Sequence, residues 1–316
     1  MSCCSRILSH ISHPQLDISG IIRISYSSHH IYTSIYLHLF TMATGKKIVL
    51  VTGANTGLGY EIIKALYQTD IPYEIIVGCR TISKGEAAIA KLKEETTAAS
   101  PSSLSTLQVD LNSDASLESA VDTLEAKYGR LDVLINNGGC TFDTEVREGK
   151  MPIRDGFNAT WDTNVSGTHF FTTLAVPLLL NSADPRLLFV TSGTTSMAET
   201  EVQVGNPGLQ RLNAAPPAGW PKPRAGMELT MYRVVKTGLN MLMRDWTRRL
   251  RNDGVKVWGI SPGFLATGFA GMAPEKWREM GALDPALGGQ FIRDVVAGKR
   301  DQDVGKVIRA MGIQPW

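Results

Sequence analysis

A doubly wound α/β fold, one parallel sheet of about seven strands with helices on both faces, is the architecture this sequence predicts. Three observations predict it. Short β-rich runs alternate with longer helical stretches from Lys46 onward. Most of those runs are continuously apolar, as strands covered on both faces must be. A glycine-rich turn, Val51-Thr52-Gly53-Ala54-Asn55-Thr56-Gly57-Leu58-Gly59, stands where the first strand hands over to the first helix.

In order, the strands are expected at Lys47–Thr52, Tyr73–Cys79, Leu104–Val109, Leu131–Asn136, Leu187–Ser192 and Val255–Ser261, with a weaker one near Lys306–Ile308. Helical patterns fill the intervals at Gly59–Thr69, Ile82–Glu95, Ala115–Tyr128, Ile153–Leu180 and Thr230–Asn252. Strand–helix–strand repetition at this spacing implies right-handed crossovers and a parallel sheet. One stretch breaks the rhythm. Residues 197–228 carry Pro207, Pro216, Pro217, Pro221 and Pro223 and several glycines. A loop this long after the fifth strand lies at the carboxyl end of the sheet, where ligands bind.

The 316 residues, 43% hydrophobic and 20% charged, suit a globular domain with a substantial core, here residues 46–316. A net charge of +2 gives no reason to expect nucleic acid or an anionic membrane as partner. Cys3, Cys4, Cys79 and Cys140 form neither a zinc pattern nor a disulfide framework, so reduced thiols in a cytoplasmic protein and no metal are expected. Residues 1–45 differ in composition, rich in Ser, His, Ile and Tyr. Arg23, His29, His30 and His38 interrupt every apolar run well short of the ~18 residues of a membrane span. The expectation is a start at Met42 preceded by a mis-assigned or unstructured extension. A mitochondrial transit peptide, with Arg6 and Arg23 and few acids, is the alternative.

The chemistry lies in the order of the motifs. Tyr232 and Lys236 are four positions apart in a helical pattern and so share a face. A neighbouring ammonium favours phenolate and is expected to lower the tyrosine pKa from its usual ~10, which suits proton exchange with an alcohol oxygen. At the glycine turn, Gly53 lets the chain leave the strand sharply, Gly57 clears space for a pyrophosphate, and Gly59 admits close helix packing. Asn55, Thr56 and Leu58 complete that turn, and the helix amino terminus behind it offers N–H groups to phosphates.

Five segments appear in sequence: the glycine turn, Leu131-Asp132-Val133-Leu134-Ile135-Asn136-Asn137-Gly138-Gly139, Trp161-Asp162-Thr163-Asn164-Val165, Val190-Thr191-Ser192, and Tyr232-Arg233-Val234-Val235-Lys236. Together they resemble the short-chain dehydrogenase/reductase family, and within it the carbonyl-reductase and retinol-dehydrogenase-like branches. The resemblance is close from Lys46 to Ile260 and extends through Ser261–Gly268. It implies that Tyr232 is the acid/base, that Lys236 also holds the nicotinamide ribose, that Ser192 orients the substrate oxygen, and that Asn164 holds a relay water. It further implies that Asp110 and Leu111, after the third strand, meet the adenine, that Asn136 supports the adenosine side, and that Pro262, Gly263 and Thr267 sit against the nicotinamide. Gly138 departs from the alanine usual at that position. The long interval between Ser192 and Tyr232 matches an insertion in the carbonyl-reductase branch and suggests a lid.

Arg80 decides the expected cofactor. Family members that use NAD place an acid at the end of the second strand, whereas this chain has Arg80 followed by Lys84. A guanidinium suits a 2′-phosphate, so NADP(H) is expected. The expected activity is interconversion of a ketone or aldehyde and an alcohol by hydride transfer, on a small-molecule substrate, by a monomer or homodimer. Two alternatives stand beside it: a tailoring reductase of a specialised polyketide or terpenoid pathway, and a catalytically silent nucleotide-binding protein. His169 reads as a packed helix histidine, and Glu199 and Glu201, without a partner histidine, are assigned no chemistry.

Overall fold

The computed structural model describes residues 45–201, 207–222 and 228–316, which belong to one compact unit beginning at Thr44. The expectations for the segment before Met42, and for parts of the 197–228 insertion, lie outside the described residues. Strand β1 (Lys47–Thr52) pairs in parallel with β2 (Tyr73–Cys79) on one side and with β4 (Val133–Asn136) on the other. With β3 (Ser103–Gln108), β5 (Arg186–Val190), β6 (Lys256–Ile260) and β7 (Val307–Arg309), the order is β3-β2-β1-β4-β5-β6-β7. A short β8 (Gly312–Ile313), absent from the sequence-based expectation, closes the edge antiparallel to β7, giving eight strands. Strand order reverses between β1 and β4, which opens a crevice above the carboxyl ends of both.

Alternation along β1 shows why the runs are apolar throughout. Ile48 and Leu50 face one core with Leu117, Phe171, Leu178, Leu239 and Met243, while Val49 and Val51 face the other with Ile62, Leu92, Ile292 and Val295. These residues come from α3 (Asp114–Tyr128), α6 (Thr168–Leu180) and α9 (Thr230–Leu250) on one side. On the other they come from α1 (Gly57–Tyr67), α2 (Ile82–Glu95) and α11 (Pro285–Val296). Each fully buried Leu or Ile contributes roughly 1.5–3 kcal/mol of transfer free energy, so neither face tolerates a slip of register.

Two departures from the sequence reading concern the site. The stretch expected as one helix, 153–180, is α5 (Ile153–Trp161) and α6 joined by a π-helical segment, Asp162–Gly167, that contains Asn164. Within the insertion lie α7 (Ala198–Glu201) and α8 (Pro207–Asn213). A short α4 (Asp143–Arg147) follows β4, and α10 (Pro274–Glu279) precedes α11. At the opposite, amino end of the sheet, Asp184 accepts from Lys47 (2.8 Å), Lys256 (2.9 Å) and Arg186 (3.0 Å). Asp301 accepts from Arg186 and Lys256, each at 2.6 Å. Among the described residues no helix is long and apolar enough to cross a membrane.

Candidate active site

The glycine turn leads from β1 into α1 with Gly53 at φ +63° and Gly57 at φ +54°, a region that excludes nearly every residue with a Cβ. A Cβ on Gly59 would lie 2.3 Å from Gly53 O and 2.8 Å from Ala54 Cα, so only glycine lets the helix pass under the turn. Thr56 stands at the N-cap of α1 without a side-chain capping bond, and the first turn carries no acid. That helix end therefore suits an external anion, the pyrophosphate of a dinucleotide. Asn137 ties the turn down from β4: its Nδ2 donates to Thr52 O at 2.8 Å, and Thr52 Oγ1 accepts from the Asn137 and Gly138 N–H groups at 3.0 and 2.9 Å.

A continuous cavity of about 3020 Å³ runs from this turn across the carboxyl ends of the strands. Asn55, Thr56, Gly57, Leu58, Gly59, Arg80, Lys84, Asp110, Leu111, Ser192, Tyr232, Lys236, Pro262, Gly263 and Thr267, all singled out in the sequence, line it together with Gly53. Thr267 packs on the turn, 3.5 Å from where a Cβ on Gly57 would stand. Two of the expected residues lie behind the wall. Asn136 is buried at the end of β4, where its Nδ2 donates to Thr172 Oγ1 at 3.0 Å, and neighbouring Asn137 forms the lining instead. Strand alternation turns one of two successive asparagines away from the cavity.

Asn164 is the second, and its burial is informative. Its Nδ2 donates to Cys140 O at 2.8 Å and Thr160 O at 2.7 Å, while its Oδ1 is buried without a partner among the described residues. The π-helical segment supplies this geometry, because the extra residue in the turn re-aims the side chain towards Cys140. Gly139 leaves the room: a Cβ there would lie 2.4 Å from Asn164 Oδ1 and 3.5 Å from Lys236 Nζ. An unpaired buried carbonyl beside an ammonium is a place for a bridging water.

Lys236 is buried on α9 and its Nζ donates to Val190 O at 2.8 Å. Burial pushes its pKa down to about 8. Half-buried Tyr232 behaves differently from the sequence-based expectation: burial pushes its phenol above the ordinary value, and a hydrogen bond with Ser192 opposes that rise. The lowering expected from Lys236 is not found: desolvation disfavours the phenolate and only Ser192 opposes it. Ser192 is buried at the end of β5, with its Oγ 3.0 Å from Thr194 Oγ1 and accepting from Thr194 N at 3.2 Å. Phe269 stacks at a tilt on Tyr232, ring centroids 5.1 Å apart, and Phe264 meets Trp277 edge-on.

Sequence reasoning missed the residues that hold this group in place. Buried Asp143, at the start of α4, accepts from Met231 N through Oδ1 and from Tyr232 N through Oδ2, both at 3.0 Å, capping α9 from outside the helix. Gln314 beyond β8 donates to Ser192 O at 3.1 Å from a fully packed position. Neither has a local signal, since their partners are 88 or more positions away. Glu199, assigned no chemistry, pairs with Arg309 through both carboxylate oxygens, and His169 packs against Trp246 with centroids 5.4 Å apart.

The family pattern described as short chain dehydrogenase matches residues 47–204. The short-chain dehydrogenase/reductase eupG of a Phoma species is 44% identical over 283 residues, covering 86% of this chain and 98% of the relative. The short-chain dehydrogenase/reductase tropE of Talaromyces stipitatus is 42% identical over 278 residues, with the same coverage. This chain belongs to the short-chain dehydrogenase/reductase family. Carbonyl reductase [NADPH] 1 of Sus scrofa is 26% identical over 285 residues, 80% of this chain and 94% of that one. The fold of this family member also matches an NADPH-bound carbonyl reductase from chicken fatty liver, with a TM-score of 0.65 at 20% identity over 86% of this chain and 99% of that one. It is a nicotinamide-linked oxidoreductase by family, with a carbonyl-reductase-like fold.

Proposed function

We propose that this protein reduces a ketone or aldehyde to an alcohol with NADPH, using Ser192, Tyr232, Lys236 and Asn164. The observation that carries this reading is that Ser192, Tyr232 and Lys236 line the same cavity as the glycine turn, with Ser192 and Lys236 buried in its wall. When bound, the dinucleotide supplies the hydride. The chain's own residues supply the rest. Ser192 Oγ and the Tyr232 hydroxyl converge on one carbonyl oxygen, so the oxygen gains two donors as negative charge develops there. Tyr232 gives up its proton to that oxygen. Lys236 stabilises the phenolate that remains and holds ribose hydroxyls. The unpaired Asn164 Oδ1 receives a water through which Tyr232 and Lys236 are reprotonated from solvent. The N–H donors at the α1 terminus hold the phosphates, and the Phe269 ring packed on Tyr232 shields this oxygen on one side.

Arg80 and Lys84 support the choice of NADPH. Both are exposed in the cavity wall next to the end of β2, and no carboxylate among the described residues is paired with either. A guanidinium offers a bidentate contact to a 2′-phosphate, worth about tenfold to a hundredfold in affinity as a charge-assisted bond. Fluorescence titration with both dinucleotides tests it. Tighter binding of NADPH than NADH is expected, with the order reversed in Arg80→Asp; equal affinities in the parent protein would sink the cofactor assignment. Reduction of a bulky intermediate in a specialised pathway is a second reading, favoured by the size of the cavity and by the fungal relatives. Turnover of bulky polycyclic ketones in preference to small aldehydes would select it.

A further inference from the structure

Arg233 in the cavity wall has no counter-ion among the described residues. Arg233 directly follows Tyr232 on α9, lines the cavity and is half-buried. Its Nε donates to Thr194 O at 3.0 Å and its Nη2 to Asn213 Oδ1 at 2.9 Å, both neutral acceptors. Glu199 is linked to it through Asn213, whose Nδ2 donates to Glu199 O at 3.0 Å, but the Glu199 carboxylate is already taken by Arg309. Among the described residues no acid pairs with Arg233, and the sequence carries no Asp or Glu at 202–206 or 223–227. Burial lowers the pKa of this guanidinium and no neighbouring charge opposes it.

A charge withdrawn from water without a partner is costly, and a guanidinium is retained over a neutral amide where its charge is used. Two of its five N–H groups hold it in place, which leaves donors free for a ligand. Its position is also telling. Thr194, whose carbonyl accepts from Arg233, has its hydroxyl 3.0 Å from Ser192 Oγ, so the cation is anchored two positions from the hydroxyl proposed to orient the carbonyl. A purely structural staple between α9, the loop after β5 and α8 needs hydrogen bonds and no charge.

We propose that Arg233 is the subsite for an ionised acidic group, a carboxylate in the first instance, carried by the carbonyl substrate. The preferred substrates are then oxo-acids or aldehyde acids in place of neutral ketones. This inference rests on the reading of the cavity as a carbonyl-reduction site. The test uses the full chain with saturating NADPH and a matched pair, 4-formylbenzoate and its methyl ester. The parent enzyme is expected to favour the acid in kcat/KM. Arg233→Met should lower the acid-to-ester ratio by about tenfold or more, as loss of a charge-assisted bond does, and Arg233→Lys should recover part of it. An ester preference in the parent, or an equal loss on both substrates in Arg233→Met, overturns the subsite. If neither aldehyde is reduced, reduction of small carbonyls fails and only the bulky-ketone reading stands. The subsite is then decided by calorimetry with benzoate and benzamide in the presence of NADPH. Benzoate binding at least tenfold weaker in the Met variant than in the parent upholds it, and equal binding overturns it. Should Arg233→Met not fold, Arg233→Gln, which keeps amide donors but no charge, takes its place with the same expected ratio.

Discussion

Tyr232 and Lys236 share a buried site in which each resists the charge it must carry. Tyr232→Phe removes one hydroxyl, so dinucleotide binding should survive while turnover falls by roughly the 10²–10⁴-fold attributed to a positioned acid/base. Steady-state kinetics beside a binding titration check both halves, and a Phe variant with parental turnover would refute the mechanism. Lys236 yields a stability prediction with a defined sign. Its folded pKa, about 8, lies below the ordinary lysine value of 10.5. Between those values the unfolded chain binds the proton that the folded chain has released, so this group's contribution to stability rises with pH there. Below pH 8 both states are protonated and the full desolvation cost is present. Lys236→Met should therefore raise the melting temperature of the dinucleotide-free protein at pH 7, by on the order of 1–3 kcal/mol in stability, with the gain shrinking towards pH 10. A Met variant less stable than the parent at pH 7 would show that the bond to Val190 O outweighs desolvation.

At the scale of the element, α9 is fastened at the end that matters. Leu229 at its N-cap makes no side-chain capping bond, and the Asp143 carboxylate takes the Met231 and Tyr232 N–H groups instead. Thr141 Oγ1 donates to the same carboxylate at 2.6 Å. Asp143→Ala leaves two backbone N–H donors and the Thr141 hydroxyl without this acceptor, so a loss of about 1–3 kcal/mol is expected in denaturant unfolding. Because Tyr232 N is one of the two donors, kcat should fall more than dinucleotide affinity does. The π-helical segment has a comparable role for Asn164. Gly139→Ala should fold, yet its Cβ would displace Asn164 Oδ1, and loss of turnover with retained melting temperature is the expected signature.

Across the whole sheet, the candidate site and the Asp184–Asp301 ion-pair cluster occupy opposite ends. The amino end carries Asp184, Asp301, Arg186, Lys256 and Lys47. Burial alone would raise the Asp184 pKa, but hydrogen bonds from Lys47, Lys256 and Arg186 outweigh it and hold the carboxyl well below the usual range. Asp301 is likewise held low, chiefly by Arg186. Depressed carboxylates stabilise the fold above their unfolded pKa of ~3.9, and that contribution disappears as pH falls through the folded values. Since both acids are about one-third exposed, solvent screening limits the loss in Arg186→Met to about 1–3 kcal/mol. The deficit should narrow below pH 4 in acid titration of the melting temperature; a constant deficit would assign it to packing alone.

The sequence by itself determined the sheet, its parallel sense and the order of the motifs. Each depends on a pattern within a few residues: apolar runs at β1 and β2, the Gly53–Gly59 turn, and the four-residue spacing of Tyr232 and Lys236. Boundaries at β1 and β2 were legible to the residue because turn chemistry frames both strands. Only the tertiary structure decided that Asn137 and not Asn136 lines the cavity, that Asp143 caps α9, that Gln314 braces Ser192, and that Arg233 has no carboxylate partner among the described residues. It also decided the balance at Tyr232, where desolvation outweighs the opposing effect of Ser192. The physical reason is the same in each case. Hydrogen bonds between residues 20 to 122 positions apart, and the burial that sets their strength, arise from packing of the finished sheet and leave no periodic trace along the chain.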